Sequence, residues 1–544
     1  MTRRALLLGA LALFAATRLP VLVTSSRALF YWEETVPLLV ARELLAGPRL
    51  PLLEYEATHY QGGPIVTALL AVPAVFFRGT SLTALKLVPL AFAAGALALW
   101  TSVLRRLFGR GAAALFVLLY CFAPPAFVLF NFLAIGTHPE SVLFSALLVW
   151  LAVRLLEDAG DGRVRAGFVF GCAAGFGLWY DYATAVTLAA LVPLALTLRA
   201  DVARTLPTLA GGFVVGFSPW IYYNVTHPLQ GLVKVREVFA GGGGGHLAAT
   251  LANLPRSLVE LTSFGPALAL SARAWSLAYA TGLALGVAAA GVASRAHRAP
   301  SPSGRGRLLV IGATLLQPAL TFAVYLASSL PAEVLPGAFP FRVRVLVFMY
   351  PFLFAGAAVG LAEWLRERGT VRLVALLAAA ALLGSGAVAW GTLLGRGRLA
   401  HSSTELQEIG CMTFGFYAVQ KYPRDPSRGA RDLAALHGGR CRDRAFAGLG
   451  WGALVVHAEA GRADETVAAF GVLPSAWRAK ALEGFAYQAG IAEAALHAAA
   501  SPEDAARLGH IRAVRARLER CIGLWPRVPG HSILPTPLPC AEAG

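Results

Sequence analysis

Charge is what this chain has least of. Aspartate, glutamate, lysine and arginine together make up 14% of its 544 residues, whereas soluble domains carry roughly a quarter. With 57% hydrophobic residues and a mean hydropathy of +0.62, that shortage excludes a soluble globular enzyme. It leaves a succession of apolar stretches of the kind a bilayer accommodates. Acids are scarcer still than bases, 30 against 47. The resulting charge of +17 does not imply a nucleic-acid partner, because the bases sit in short loops and form no continuous basic face. The first apolar stretch follows Thr2-Arg3-Arg4 and has no clear small-residue cleavage site, so it reads as a retained helix, not a signal peptide. No ligand spacing demands a metal, although acids and histidines could hold a divalent ion.

Cysteine is also sparse. Cys121 and Cys172 fall in apolar stretches as small hydrophobes. The other four, Cys411, Cys441, Cys521 and Cys540, lie beyond about residue 394, where charges rise. An even set in an extracytoplasmic domain predicts two disulfides, with the pairing open; the alternative is four free thiols in a cytoplasmic tail, which only the topology opposes.

What is there is a membrane path. A first helix over 5–24 is followed by spans near 83–104, 111–133, 140–156, 166–180, 182–198, 205–222, 274–294, 308–328, 345–365 and 372–393, about eleven in all. The stretch 35–45 alternates Val36, Leu38, Leu39, Val40, Leu44 and Leu45 with Arg42 and Glu43, an amphipathic pattern. The stretch 64–77 is too short to span comfortably, so both are placed as juxtamembrane helices at the outer interface. Arginine placement supports this path. Arg105, Arg106 and Arg110, then Arg154, Arg163 and Arg165, then Arg199 and Arg204 share one side. Arg295, Arg298, Arg305 and Arg307, then Arg366, Arg368 and Arg372, join them, with Arg3 and Arg4. That face is cytoplasmic by the positive-inside rule. The predicted fold is thus an all-α polytopic membrane domain over 1–394 and a small helical extracytoplasmic domain over 395–544. In the latter, residues 444–451 faintly repeat as 480–487, small residues beside aromatics as in stacked helical hairpins.

The unusual polar residues collect on the outer face. Glu33 and Glu34 stand just beyond the first helix, and a carboxylate at a bilayer surface can reach a lipid-borne substrate while staying wet. The same loop holds His59, Gln61, Gly62, Gly63 and Pro64. The next outer loop reads Gly136-Thr137-His138-Pro139-Glu140, with Glu140 at the lip of a span, where an acid is unfavourable without a task or partner. Trp179-Tyr180-Asp181-Tyr182 and Pro219 to Asn224 follow, then Arg342, Arg344 and Tyr350. The loop 225–272 contains five glycines, Gly241–Gly245, and is either a linker or a hinge over substrate.

Trp32-Glu33-Glu34, the run Val40 to Gly47 and Gln61-Gly62-Gly63-Pro64 resemble the first outer loop of GT-C glycosyltransferases, in the branch of bacterial relatives of protein O-mannosyltransferases and the lipid A aminoarabinose transferase. Gly79-Thr80-Ser81 with Lys86-Leu87, Glu140, Pro219 to Asn224 and Arg342 to Pro351 are similar to later segments of that branch. Two departures stand out: Glu33-Glu34 replaces the usual Asp-Glu pair, and His138 is the nearest substitute for a missing basic residue before the second acid. The resemblance implies transfer of a sugar from a polyprenyl-phosphate donor to a glycan, lipid or protein acceptor, at the outer face of a bacterial inner membrane. It implies Glu33, Glu34 and Glu140 as the catalytic acids, with Glu33 the base. Arg342 and Arg344 would stabilise the leaving phosphate, with His59 and Tyr350 beside them, and Gln61 and His138 would line the substrate. A transporter or lipid flippase needs broken helices or charges near the midplane. A polysaccharide polymerase or ligase keeps its key loop late in the chain; here the acids come first.

Overall fold

A computed structural model of the chain describes residues 2–24, 32–55, 61–78, 82–158, 160–226, 270–293, 302–327, 344–395, 403–422, 426–436, 439–471, 473–497 and 502–522. Among them all regular structure is helical and no strand occurs. In chain order the first helices are α1 (Arg3–Thr24), α2 (Thr35–Ala46), α3 (Gly63–Arg78), α4 (Leu82–Phe108), α5 (Arg110–Cys121), α6 (Pro125–Phe130), α7 (His138–Glu157), α8 (Gly160–Tyr180), α9 (Thr184–Leu198) and α10 (Leu206–Thr226). Apolar helices Leu270–Ala293, Pro302–Ala327, Tyr350–Trp364 and Thr370–Gly395 follow, and then the tail helices. The chain forms two compact units. The first comprises Met1–Tyr31, Tyr60–Ala74 and Ser81–Ala400; the second comprises Trp32–His59, Val75–Thr80 and His401–Gly544. Much of the first loop therefore groups with the tail.

In the first unit, six of the described helices are long and apolar enough to cross a bilayer: Arg4–Thr24, Leu82–Phe108, His138–Glu157, Ser276–Ala293, Ser303–Ala327 and Thr370–Gly391. Gly63–Phe77, Arg110–Cys121 and Thr184–Leu198 are shorter apolar helices. The helices fall where the hydropathy pattern puts them, but length and composition do not reproduce a count of eleven.

One predicted span is broken. The stretch 111–133 divides into α5 and α6 because Pro124 and Pro125 cannot continue a helix. Breaking a helix in apolar surroundings strands its last carbonyls. Arg18, fully buried in α1, satisfies them: its guanidinium donates to Cys121 O (2.7 Å) and Tyr120 O (2.9 Å), and also to Asn131 Oδ1 (3.1 Å) and Thr17 Oγ1 (3.2 Å). The one fully buried arginine among the described residues is thus a cap, with four hydrogen bonds.

Close helix packing is set by glycine. Gly171 and Gly175 on α8 face Gly212 and Gly216 on α10, and a Cβ at any of the four would meet a backbone oxygen of the other helix at 2.1–2.3 Å. Two Gly-xxx-Gly stripes let the backbones touch without a hydrophobic drive between helices. At the other end of α7 and α4, the arginines gather. Arg307 donates to Leu107 O (2.6 Å), Arg366 to Phe108 O (3.5 Å) and Arg199 to Leu156 O, while Arg106 pairs with Glu157 at 2.5 Å. Cations there complement helix C-termini.

The second unit is a stack of helices. Gly448, Gly450 and Gly484 sit at crossings where a Cβ would meet Met412 O, Ala481 O and Ala447 O at 1.7, 1.8 and 1.9 Å, so the faint repeat marks backbone contacts. A disulfide joins Cys411 to Cys441; the side chain of Cys521 and the whole of Cys540 lie outside the described residues. A π-helical turn, Leu454–Ala458, buries His457 with neither ring nitrogen hydrogen-bonded. Burial, aided by Arg462 and opposed by Glu465, lowers its pKa to about 4. The folded state keeps the ring neutral, while the unfolded chain takes up a proton near the ordinary value of about 6.5. Stability is therefore full above that pH and falls as pH drops toward 4, by about 1.4 kcal/mol per unit and about 3 kcal/mol in all. Thermal unfolding of the purified chain between pH 7.5 and 4.5 should show this loss, and His457→Leu should remove that part of it. Equal pH slopes for the two proteins would refute the assignment.

Candidate active site

The carboxylate the sequence placed at the lip of a span is fully buried. Glu140 sits in the first turn of α7, whose preceding turn brings Gly136 to φ +70°. Its Oε1 accepts from Gly136 N (3.2 Å) and lies 3.5 Å from the Thr67 hydroxyl, which is 2.9 Å from the Tyr180 hydroxyl. Its Oε2 is buried with no hydrogen-bond partner.

Three backbones meet to build this pocket of polar groups. Gly62 N donates to Trp179 O (2.8 Å), and a Cβ on Gly62 would enter the Trp179 ring. A Cβ on Gly63 would stand 1.4 Å from Gly136 O and 2.8 Å from Tyr180 O. The Gln61-Gly62-Gly63-Pro64 segment is thus a backbone junction; Gln61 is itself buried at its start. This junction delivers Thr67 on α3 to Glu140 on α7.

Beside Glu140 lies a pair the sequence did not join. His138 Nδ1 is 2.9 Å from Asp181 Oδ2, which also accepts from Ser141 Oγ (2.8 Å), while Asp181 Oδ1 accepts from Ala183 N (3.0 Å). Asp181 is fully buried, and the His138 side chain is 16% exposed. An acceptor-only carboxylate makes His138 Nδ1 the donor of this pair. Asp181 reads in sequence as a helix cap; its partner 43 residues away was invisible. Lys86, fully buried in the second turn of α4, belongs to the same level. Phe92 of α4 packs on Phe144 of α7, and Arg106 pairs with Glu157, so the two helices run parallel and Lys86 falls level with His138.

The second unit holds the other predicted acids. Glu33 and Glu34 form a 3-10 turn before α2. Glu33 is half-buried and accepts from the Tyr417 hydroxyl at 3.4 Å; Glu34 is fully buried. Nearby in sequence, Glu54 meets Lys421 Nζ (2.8 Å), Arg428 Nη2 (3.5 Å) and the Tyr422 hydroxyl (2.6 Å), which also lies 3.0 Å from Asp432. Burial holds the Asp432 carboxyl above the usual range, against the pull of Lys421. Through these contacts the tail clamps the segment that carries Glu33. The binding of first loop to tail had no sequence signal.

Among the remaining predictions, His59, Arg342 and the glycine-rich loop lie outside the described residues. Arg344 opens a short helix, Arg344–Val347, and only its backbone is described. Tyr350, expected beside a donor phosphate, is 2% exposed, with its ring packed on Phe127 and Phe354 at 5.7 and 5.2 Å. That is a core position, reached because the residue opens an apolar helix whose neighbours are aromatic. Among the described residues no three acid, histidine or cysteine side chains gather as ion ligands.

No family model and no curated protein matches the chain. Among solved structures it is similar to ArnT from Cupriavidus metallidurans bound to undecaprenyl phosphate, with 16% identity and a TM-score of 0.48, over 94% of this chain and 79% of that one. The apo form of the same protein gives 17% and 0.45 over the same shares. The Archaeoglobus fulgidus oligosaccharyltransferase in complex with Zn and sulfate gives 13% and 0.44, over 79% of this chain and 57% of that one.

Proposed function

We propose that the chain is a glycosyltransferase that moves a sugar from a polyprenyl-phosphate carrier to an acceptor hydroxyl. The observation that carries this reading is the unpartnered, fully buried Oε2 of Glu140, next to a His138 imidazole oriented by Asp181. A carboxylate buried among apolar helices is unfavourable unless a ligand or a proton completes it, and sugar hydroxyls are donors of the right kind. The first-loop resemblance supplies the reaction class.

In the reaction, the acceptor hydroxyl gives its proton to Glu33 as its oxygen bonds to the anomeric carbon. The bond from that carbon to the carrier phosphate breaks, and the phosphate leaves with the electron pair. Arg342, Arg344 and Lys86 are the cations proposed to stabilise it. Tyr417 orients Glu33, Glu34 supports it, and Glu140 and His138 hold the sugar. The reading places the arginine-rich helix ends in the cytoplasm of a bacterium and the tail domain in the periplasm.

The test is transfer in vitro from defined polyprenyl-phosphate sugars. Glu33→Gln should lower turnover by about 10²–10⁴-fold while the protein purifies and unfolds like the parent. Transfer at the parental rate by that variant would remove Glu33 as the base.

A further inference from the structure

Far from Glu140, about 20 Å along α7 at about 1.5 Å per residue, the first unit contains a cavity of about 340 Å³ between the last turns of α4 and α7. Its size falls within the range of about 300–1,000 Å³ usual for small-ligand sites. Arg105, Arg106 and Arg154 line it together with Trp150, Val103 and Val153.

The charges in it are unevenly matched. Arg106 is engaged by Glu157 at 2.5 Å. Arg154 lies over the Trp150 ring at 4.8 Å, an attraction that uses none of its N–H groups as hydrogen-bond donors. Arg105 Nη1 is buried and has no acceptor. A buried guanidinium donor without an acceptor is unfavourable, and a phosphate oxygen is the acceptor that matches its geometry.

The walls distinguish a lipid from a free anion. Two valines and a tryptophan stand beside the guanidinia, in the last turns of two apolar helices long enough to span a bilayer. Headgroups meet acyl chains at that level, where tryptophan is enriched, and basic clefts between spanning helices there bind anionic headgroups. We infer that the cleft formed by Arg105, Arg154 and Trp150 binds the phosphate headgroup of an anionic phospholipid, with an acyl chain leaving along Val103 and Val153.

The full chain, purified in neutral detergent, would be given dioleoylphosphatidylglycerol, dioleoylphosphatidylcholine or inorganic phosphate. Native mass spectrometry reads retention, and the unfolding midpoint reads stabilisation. Phosphatidylglycerol should be retained and raise the midpoint, while phosphatidylcholine and inorganic phosphate do neither. The double variant Arg105→Gln/Arg154→Gln should retain phosphatidylglycerol about tenfold less, the equivalent of at least one charge-assisted hydrogen bond. Arg368→Gln/Arg372→Gln, at exposed positions, should retain it as the parent does. Should the double variant not purify, Arg105→Gln alone carries the comparison. Equal retention by parent and variant, equal retention of the two lipids, or a full midpoint shift from inorganic phosphate would each overturn the proposal.

Discussion

Glu140→Gln is expected to lower kcat and kcat/KM by about 10–100-fold, the loss of a charge-assisted hydrogen bond to the sugar, while leaving the unfolding midpoint unchanged or higher. The amide keeps a carbonyl where Oε1 accepts from Gly136 N at 3.2 Å, so the turn that starts α7 survives. What changes is Oε2, which has no protein partner: an acceptor becomes an NH₂ donor, and the buried charge disappears. Removing an unpaired buried charge relieves desolvation, so stability should not fall. A sugar hydroxyl that donates to that oxygen loses its acceptor, so activity should. The opposed signs make the result diagnostic, because a purely structural Glu140 would lose both together. The check is transfer kinetics and thermal unfolding on the same preparation. A variant with parental kcat and a lowered midpoint would show that Glu140 is a packing residue.

Gly63→Val should abolish activity through the fold. A Cβ at this position would stand 1.4 Å from Gly136 O and 2.8 Å from Tyr180 O. Both atoms are backbone, so no rotamer change can relieve the clash. Either α3 withdraws from the turn before α7, or that turn opens. Withdrawal breaks the Gly62 N to Trp179 O bond and carries Thr67 away from Glu140 and Tyr180. Overpacking typically costs about 1–3 kcal/mol and occasionally more; with backbone on both sides, about 3–5 kcal/mol is expected. Such a loss leaves a marginally stable protein largely unfolded at working temperature. Fluorescence-detected size exclusion over a temperature series measures it. A Gly63→Val variant that unfolds and transfers like the parent would mean that the junction at Gly63 and Gly136 is not what holds the site.

The acids illustrate how far local pattern reaches. Glu33, Glu34 and Glu140 are visible because an acid next to an apolar stretch violates the expected pattern wherever it occurs. The Gln61-Gly62-Gly63-Pro64 segment is visible as a motif, yet its reason, contact with Gly136 and the Trp179 ring, requires residues more than 70 positions on to arrive at the same point. The Gly-xxx-Gly stripes at Gly171, Gly175, Gly212 and Gly216 were legible in principle, since spacing of four on a helix is a local signal. The break at Pro124 was legible too; its repair by Arg18 across 103 residues was not.

From its residues alone, this chain's helical, membrane-spanning character, the approximate bounds of its apolar helices and the segments that carry its acids are determined, because hydropathy, helix breakers and charge placement act over one or two turns. The tertiary structure decided that Asp181 orients His138, that Tyr417 holds Glu33, that Cys411 pairs with Cys441 and that the first loop groups with the tail. Those outcomes depend on which distant surfaces pack together, and packing is decided by shape and by burial of partners whose separation along the chain leaves no periodic trace.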